Sequence, residues 1–537
     1  MKRLVLLSFF TACALPSFAQ EPVLLKDINP LGSANPGGFT TYNGKMYFSA
    51  DDGANGRELW VTDGTASGTV LVKDINAGAA SGAPEDFIVM NGKLYFTADD
   101  GAAGRELWVS DGTPANTQML KDIAAGATDS DPGYFAVLNN KLYFEADDDV
   151  NGQELWVSDG TSVGTVLLKD MIPGAGNSNP LYIIAHNGKL FFNATDGANG
   201  RELWVSDGTT AGTTMLKNIH PSSSSSPDRF MPLGGKLYFS AYDGTDAGLW
   251  ETDGTTAGTV MVAAVNIGGC ISGTILDVSA ELGGKRYFQG SDAGGGCELW
   301  ATDGTSAGTV LLKDIQPGAN SSVPFDITTY KGKLYFRAND GVVDAQVWQS
   351  DGTGAGTTLL KTINPTGNSS ANTFTEYRGK LYFTASDGVN GTHLWVTDGD
   401  PDSTKMIAPA ISPLTSPVTS GLYVHDTTLY FPANYRSDVG NELYYFRAAD
   451  PLAVNEPEKY RLAIVHPNPA SGVLHISSLP AEGCNVSLFN AVGKLVANAK
   501  LISPGMQLDI SNCAAGVYLL KIEDKEGHVY QQRVAIK

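Results

Sequence analysis

Aspartate and glycine cluster in short loops along this chain: Asp51-Asp52-Gly53, Asp99-Asp100-Gly101, Asp147-Asp148-Asp149, Asp196-Gly197, Asp243-Gly244 and Asp387-Gly388. Calcium takes clustered oxygen ligands on a flexible backbone, so it is the cofactor these loops bring forward. Their spacing fits neither an EF-hand nor a nonapeptide calcium loop, and Asx-turns use the same residues; turn geometry is therefore the expectation, with calcium as the alternative. A second series, Asp63, Asp111, Asp159, Asp207, Asp253, Asp303, Asp351 and Asp398, recurs beside Gly. Catalysis needs one constellation, and uniform repetition points to turns. A single site would lie among departures from the pattern. His393 replaces a recurring Glu, His220 sits in a variable loop, and Asp344, Cys270 and Cys297 fall in comparable places. There is no H-E-x-x-H, G-x-S-x-G, Cys/His metal spacing or Gly-rich phosphate loop opening a helix. The sequence thus names no catalytic, cofactor-binding or metal-binding residue.

The elements that would hold such a site repeat. All eight tryptophans, Trp60, Trp108, Trp156, Trp204, Trp250, Trp300, Trp348 and Trp395, fall in variants of E-L-W-x-x-D-G-T at steps of 46 to 50 residues. That period is the size of a four-stranded propeller blade. In one copy, Asp86 to Met90 is an extended apolar run, Asn91-Gly92 a tight turn, Lys93 to Ala98 a strand covered on both faces, and Glu106 to Ser110 a third strand. Gln118 to Ile123 is a more polar fourth. No helical period interrupts them, which predicts an all-β unit. Periodic Trp in such strands is read as core rather than as a sugar platform.

The second-strand phrase recurs from Lys45 to Thr428, nine times, and the third strand also nine times, ending at Glu442-Leu443-Tyr444-Tyr445. No fourth strand follows that last copy, whereas a spare one, Val23 to Ile28, precedes the first. Nine blades balance if Val23–Ile28 pairs with Asn441–Phe446; an eight-bladed ring with a displaced terminal unit, or an open array, is the alternative. Alternating strand direction places the inter-blade loops and the second-to-third-strand loops on one rim. Length variation there, at Asn76–Glu85, Pro221–Asp228 and Asn364–Asn372, marks the expected binding face. The half from Asp228 to Asp398 departs most from the repeat, through Gly248, Cys270, Cys297, Asp344, Gln346 and His393, and is the expected location of a unique site.

Composition narrows the partners. Charged residues are 17% of the chain and the formal net charge is -21, without the Lys/Arg clusters of nucleic-acid binders. Met1-Lys2-Arg3, the apolar run Leu4–Phe10 and Ser17-Phe18-Ala19 form a secretory signal with cleavage after Ala19; Cys13 as a lipoprotein site is the alternative. No later segment is long and apolar enough for a membrane helix. Four cysteines remain, with three connectivities. The simplest pairs Cys270 with Cys297 and Cys484 with Cys513, and free buried thiols are the alternative.

The E-L-W-x-x-D-G-T copies resemble the bacterial repeat proteins of that signature over about 430 residues, a likeness tied to no single activity. The D-G turn also resembles the Asp-box of other propellers, but Trp precedes it here, so sialidase chemistry is not implied. After a linker, 449–462, the segment 463–537 with His466-Pro467-Asn468-Pro469, Val492-Gly493-Lys494-Leu495-Val496 and Ala515-Gly516-Val517-Tyr518 resembles the type A C-terminal sorting domain of the Bacteroidetes type IX secretion system. The resemblance implies a small β-sandwich, engagement with the type IX machinery, and a secreted or outer-cell-surface address. The organisation expected is a signal peptide, 1–19; a propeller, 20–448; the linker; and the sorting domain. The function expected is binding of an extracellular protein or glycan through the variable rim. An extracellular polysaccharide hydrolase or lyase, and a structural envelope protein, are the alternatives.

Overall fold

A computed structural model describes residues 21–267, 279–407, 418, 421–436 and 438–448, and the strands and several connections of 464–536. The described secondary structure is all β, and the chain divides into two compact units, Met1–Ala448 and Ala449–Lys537.

The first unit contains nine successive antiparallel sheets. Blade 2 is representative: Glu85–Met90, Lys93–Asp99, Arg105–Ser110 and Gln118–Lys121 pair in that order. Blade 6 divides its inner strand into Asn266–Ile267 and Ser279–Leu282, both paired with Lys285–Ser291. Blade 9 is Tyr423–His425, Thr428–Ala433 and Glu442–Phe446, completed by Val23–Lys26, with Leu24 opposite Tyr444 and Lys26 opposite Leu443. The count is nine, and the N-terminal strand closes the ring.

Packing closes it as well. Nine apolar clusters each lie between successive blades. Trp108 stacks on Phe96 at 6.4 Å and packs with Tyr42, Tyr47, Leu59 and Val61 of the preceding blade. Trp60 of blade 1 does the same with Leu25, Tyr430 and Leu443 of blade 9. A sheet apolar on both faces buries them only against neighbours, which is why the tryptophans recur.

The repeat's polar residues are structural. Asp63 accepts hydrogen bonds from the Thr65 N–H and hydroxyl at 3.0 and 2.7 Å, and Thr62 and Thr69 hydroxyls meet at 2.7 Å beneath the turn. Gly64 has φ +85°, and a Cβ there would stand 2.7 Å from Tyr430 Oη of the neighbouring blade. Only glycine meets both demands.

In the second unit, strands Val473–Ser477, Cys484–Phe489, Met506–Asp509, Gly516–Glu523 and Val529–Ile536 contribute to one apolar core that includes Leu474, Val486, Leu508, Leu520 and Val534. Cys513 carries a free thiol packed against that core. The expected Cys484–Cys513 bridge is therefore absent; Cys513 serves as a small apolar side chain, the alternative reading of the pair.

Candidate functional site at the axial end of the ring

The residues singled out in the sequence divide between turns, loop caps and undescribed segments. Asp52 accepts the Ala54 and Asn55 N–H groups at 2.9 and 2.8 Å and the Asn55 amide at 2.8 Å. Asp100, Asp148, Asp196 and Asp387 cap their loops alike. Among the described residues no group of three or more His, Cys, Asp or Glu is placed to hold a metal ion. The calcium expectation therefore has turn-bound carboxylates and no assembled ligand set.

The recurring Glu before Leu-Trp is a buried cap on the loop to the next blade. Glu106 is fully buried and accepts the Ile123 and Ala124 N–H groups at 2.9 and 3.2 Å and the Ser130 hydroxyl at 2.6 Å. Burial pushes the Glu58, Glu106 and Glu154 carboxyls up to about 7, against the hydrogen bonds that favour ionisation. Gln346 fills the same place in blade 7, accepting the Ile363 and Asn364 N–H groups through Oε1 and donating to the Gly367 carbonyl at 2.7 Å. His393 fills it in blade 8, its Nε2 at 3.0 Å from the Asn390 carbonyl. Gly248 takes it in blade 5, where Val260–Ala263 leads almost directly to Asn266–Ile267 and leaves no long loop to cap.

These departures occupy equivalent places in separate blades and do not converge. His220 packs on Tyr242 at 5.5 Å, and Asp344 accepts from the Asn339 amide at 3.2 Å within its own loop. Cys297 is fully buried. Cys270, Ala19 and the interior of the 266–274 loop lie outside the described residues. A shallow depression of about 250 Å³ lies beside that loop, lined by Ser225, Asp228, Arg229, Ser240, Tyr242 and Asn266.

The convergence occurs on the innermost strands, which lie against one another around the axis. In blade 1, Gly37 is opposite Ser49 and Thr40 opposite Tyr47, so Gly38 and Phe39 together face Phe48. This is a bulge, and it re-aims one side chain. The same shift recurs in blades 2, 3, 4, 5, 7 and 8. The first bulged residue has positive φ in each: Gly38, Asp86, Tyr134, Tyr182, Arg229, Asp326 and Thr373. The residue after it is always apolar: Phe39, Phe87, Phe135, Ile183, Phe230, Ile327 and Phe374. One position is thus held constant for packing while its neighbour changes chemistry from blade to blade. Asp, Tyr, Arg and Thr hold a strained backbone that glycine adopts freely, and such strain concentrates at functional sites.

A second variable position lies opposite the strand start: Ser49, Thr97, Glu145, Asn193, Ser240, Arg337 and Thr384. In blades 1, 2 and 4 an arginine opening the third strand clamps it. Arg57 donates to Ser49 Oγ and the Asn35 carbonyl, both at 2.6 Å. Arg105 donates to Thr97 Oγ1 at 2.6 Å and the Ala83 carbonyl at 3.0 Å. Arg201 donates to Asn193 Oδ1 and the Asn179 carbonyl, both at 2.7 Å. Blade 3 has Gln153 in place of the arginine and Glu145 in place of the small acceptor. Glu145 is 7% exposed, and its Oε2 has no hydrogen-bond partner among the described residues. Burial pushes this carboxyl up to about 7, with Arg201 opposing and Asp131 adding to the rise. Tyr134 and Tyr182 meet edge to face at 5.5 Å beside it, and their fields reach Glu145 and Arg201.

Sequence reasoning sought departures in loops and in the third strand, and missed those on the first two strands. The signal was present: aligned copies read Arg57-Glu58, Arg105-Glu106, Gln153-Glu154 and Arg201-Glu202.

Comparison with known proteins bears on the second unit. Residues 464–537 match the family model of secretion-system C-terminal sorting domains. They are a type IX sorting domain. The sorting domain makes the chain a secreted or outer-cell-surface protein, and among the described residues no helix is long and apolar enough to cross a membrane. No curated protein matches the chain. Among solved structures it is similar to PorZ, a surface component of the type IX secretion system of Porphyromonas gingivalis, at 13% identity and TM-score 0.35, over 93% of this chain and 75% of that one. It is also similar to the β-propeller domain of the Trilobed protease from Pyrococcus furiosus, at 11% identity and TM-score 0.31, over 70% of this chain and 99% of that one. Neither likeness carries information about what this chain binds.

Proposed function

We propose that this exported propeller binds an extracellular protein or glycan at the axial end of its variable rim, engaging type IX machinery through residues 464–537 for export. One observation carries the reading. A bulged, strained position on the innermost strand presents Asp86, Tyr134, Tyr182, Arg229 and Thr373 from blades 2, 3, 4, 5 and 8, while every adjacent residue is apolar; in blade 7 the same position, Asp326, is buried and accepts the Phe374 N–H of blade 8 at 3.1 Å. At the five positions other than Asp326, backbone strain alone would favour glycine, as at Gly38.

The test is a binding screen of the full-length chain against glycans and matrix or host proteins. Saturable binding to at least one class is expected, and none across both classes would contradict the proposal. A polysaccharide hydrolase or lyase is the second reading, favoured by the Glu145 carboxyl pushed up to about 7 beside two tyrosines and an arginine, where a group can donate a proton near neutral pH. Release of reducing or unsaturated sugar ends, abolished by Glu145→Gln, would establish it.

A further inference from the structure

We propose that blade 3 carries a subsite for an arginine side chain presented by a protein partner, bound between the Glu145 carboxylate and the Asp131 carbonyl. This deepens the binding function and rests on it. The argument comes from the repeat itself. In blades 1, 2 and 4 a guanidinium from the start of the third strand lies between a side chain of the second strand and a carbonyl just before the inner strand. The equivalent pair in blade 3 is Glu145 and the carbonyl of Asp131, which shares positive φ with Asn35, Ala83 and Asn179. Blade 3 supplies Gln153 there, and no hydrogen bond from the Gln153 amide reaches Glu145 among the described residues.

The rest of the setting suits a cation. Glu85, Asp86, Asp131 and Glu145 are four carboxylates against three guanidiniums, Arg57, Arg105 and Arg201, and all three already have partners. Arg105 lies 3.1 Å from Glu85 and 3.9 Å from Asp131. Tyr134 is 36% exposed and T-shaped against Tyr182, which gives an aromatic surface near Glu145, and guanidinium groups favour such surfaces. A planar donor set is what a carboxylate and a carbonyl recognise together. An unpaired buried carboxylate oxygen is expensive, so a ligand that satisfies it gains more than one that meets an exposed group.

The test uses the full-length chain and Nα-acetyl-argininamide, with the neutral isostere Nα-acetyl-citrullinamide beside it, by isothermal titration or NMR. Saturable binding of the arginine probe in the millimolar range is expected, and binding of the citrulline probe about tenfold weaker or worse. Glu145→Gln should weaken the arginine probe by at least about tenfold. The deciding variant is Gln153→Arg, which restores the guanidinium found in the other blades: it should raise the melting temperature and abolish probe binding together. Absence of saturable binding, equal binding of both probes, or undiminished binding by Gln153→Arg would overturn the proposal. A screened partner that still binds the Gln153→Arg chain would leave the rim-binding function standing while removing this subsite.

Discussion

The residues that recur most are explained by packing and caps, and their chemistry predicts how stability responds to change. Glu106→Ala leaves the buried Ile123 and Ala124 N–H groups without their acceptor and the Ser130 hydroxyl with only the Arg105 carbonyl at 3.3 Å. A loss of about 3 kcal/mol or more is expected in chemical denaturation, given 1–3 kcal/mol per orphaned buried group. Glu58, Glu106 and Glu154 also set a pH dependence. Their ordinary value is 4.5 and the folded chain raises it to about 7, so the folded state binds protons more tightly across that interval. Their contribution is fully present below about 4.5 and is lost as pH rises through about 7. Turn aspartates such as Asp63, held below their ordinary 3.8, act in the opposite sense at lower pH and stay out of this window. The urea midpoint should fall between pH 5 and pH 8; a rise would contradict the buried-carboxylate account. Gly64→Ala, strained at φ +85° and crowding Tyr430, should destabilise by about 1–3 kcal/mol.

At the level of strands and turns, most of the architecture was legible because apolar runs, Asn-Gly turns and the Trp period all report local packing. The apolar run Asp86–Met90 forms a strand that begins at Glu85, and the spare Val23 segment pairs with the last blade as the strand count requires. The bulge was not legible. A period-two reading assumes an unbroken pleat, and Asp86-Phe87 or Tyr134-Phe135 looks like ordinary strand sequence until two residues are seen to face one. The same assumption sent the search for a site to the loops and to His393 and Gln346, which turn out to cap loops. The strain at the bulge is itself testable. Thr373→Gly relieves a β-branched residue at φ +59° and should be neutral or stabilising by up to about 1 kcal/mol. A loss larger than that in the melting free energy would mean that the position is held by contacts rather than tolerated for function.

For the whole molecule, nine equivalent interfaces mean that closing the ring supports every blade. Removing residues 21–30 deletes the outer strand of blade 9, strips Glu442 of the Ile28 and Asn29 N–H groups, and uncovers Trp60. The melting temperature should drop far more than the small size of the segment suggests; an unchanged value would contradict closure. Deleting 463–537 should strand the propeller in the periplasm, and normal surface or medium levels of the truncated chain would count against the export role.

The repeat leaves most residues to packing and varies the bulged inner positions from blade to blade, where the proposed recognition is placed. The most direct measurement compares, for whichever partner the screen identifies, the affinity of the Tyr134→Gly/Tyr182→Gly chain with that of a chain whose outer rim segment 221–226 is replaced by its blade 2 counterpart. The axial variant should lose binding while keeping the cooperative melt, and the rim replacement should retain it. Full affinity in the axial variant with loss in the rim replacement would contradict the account.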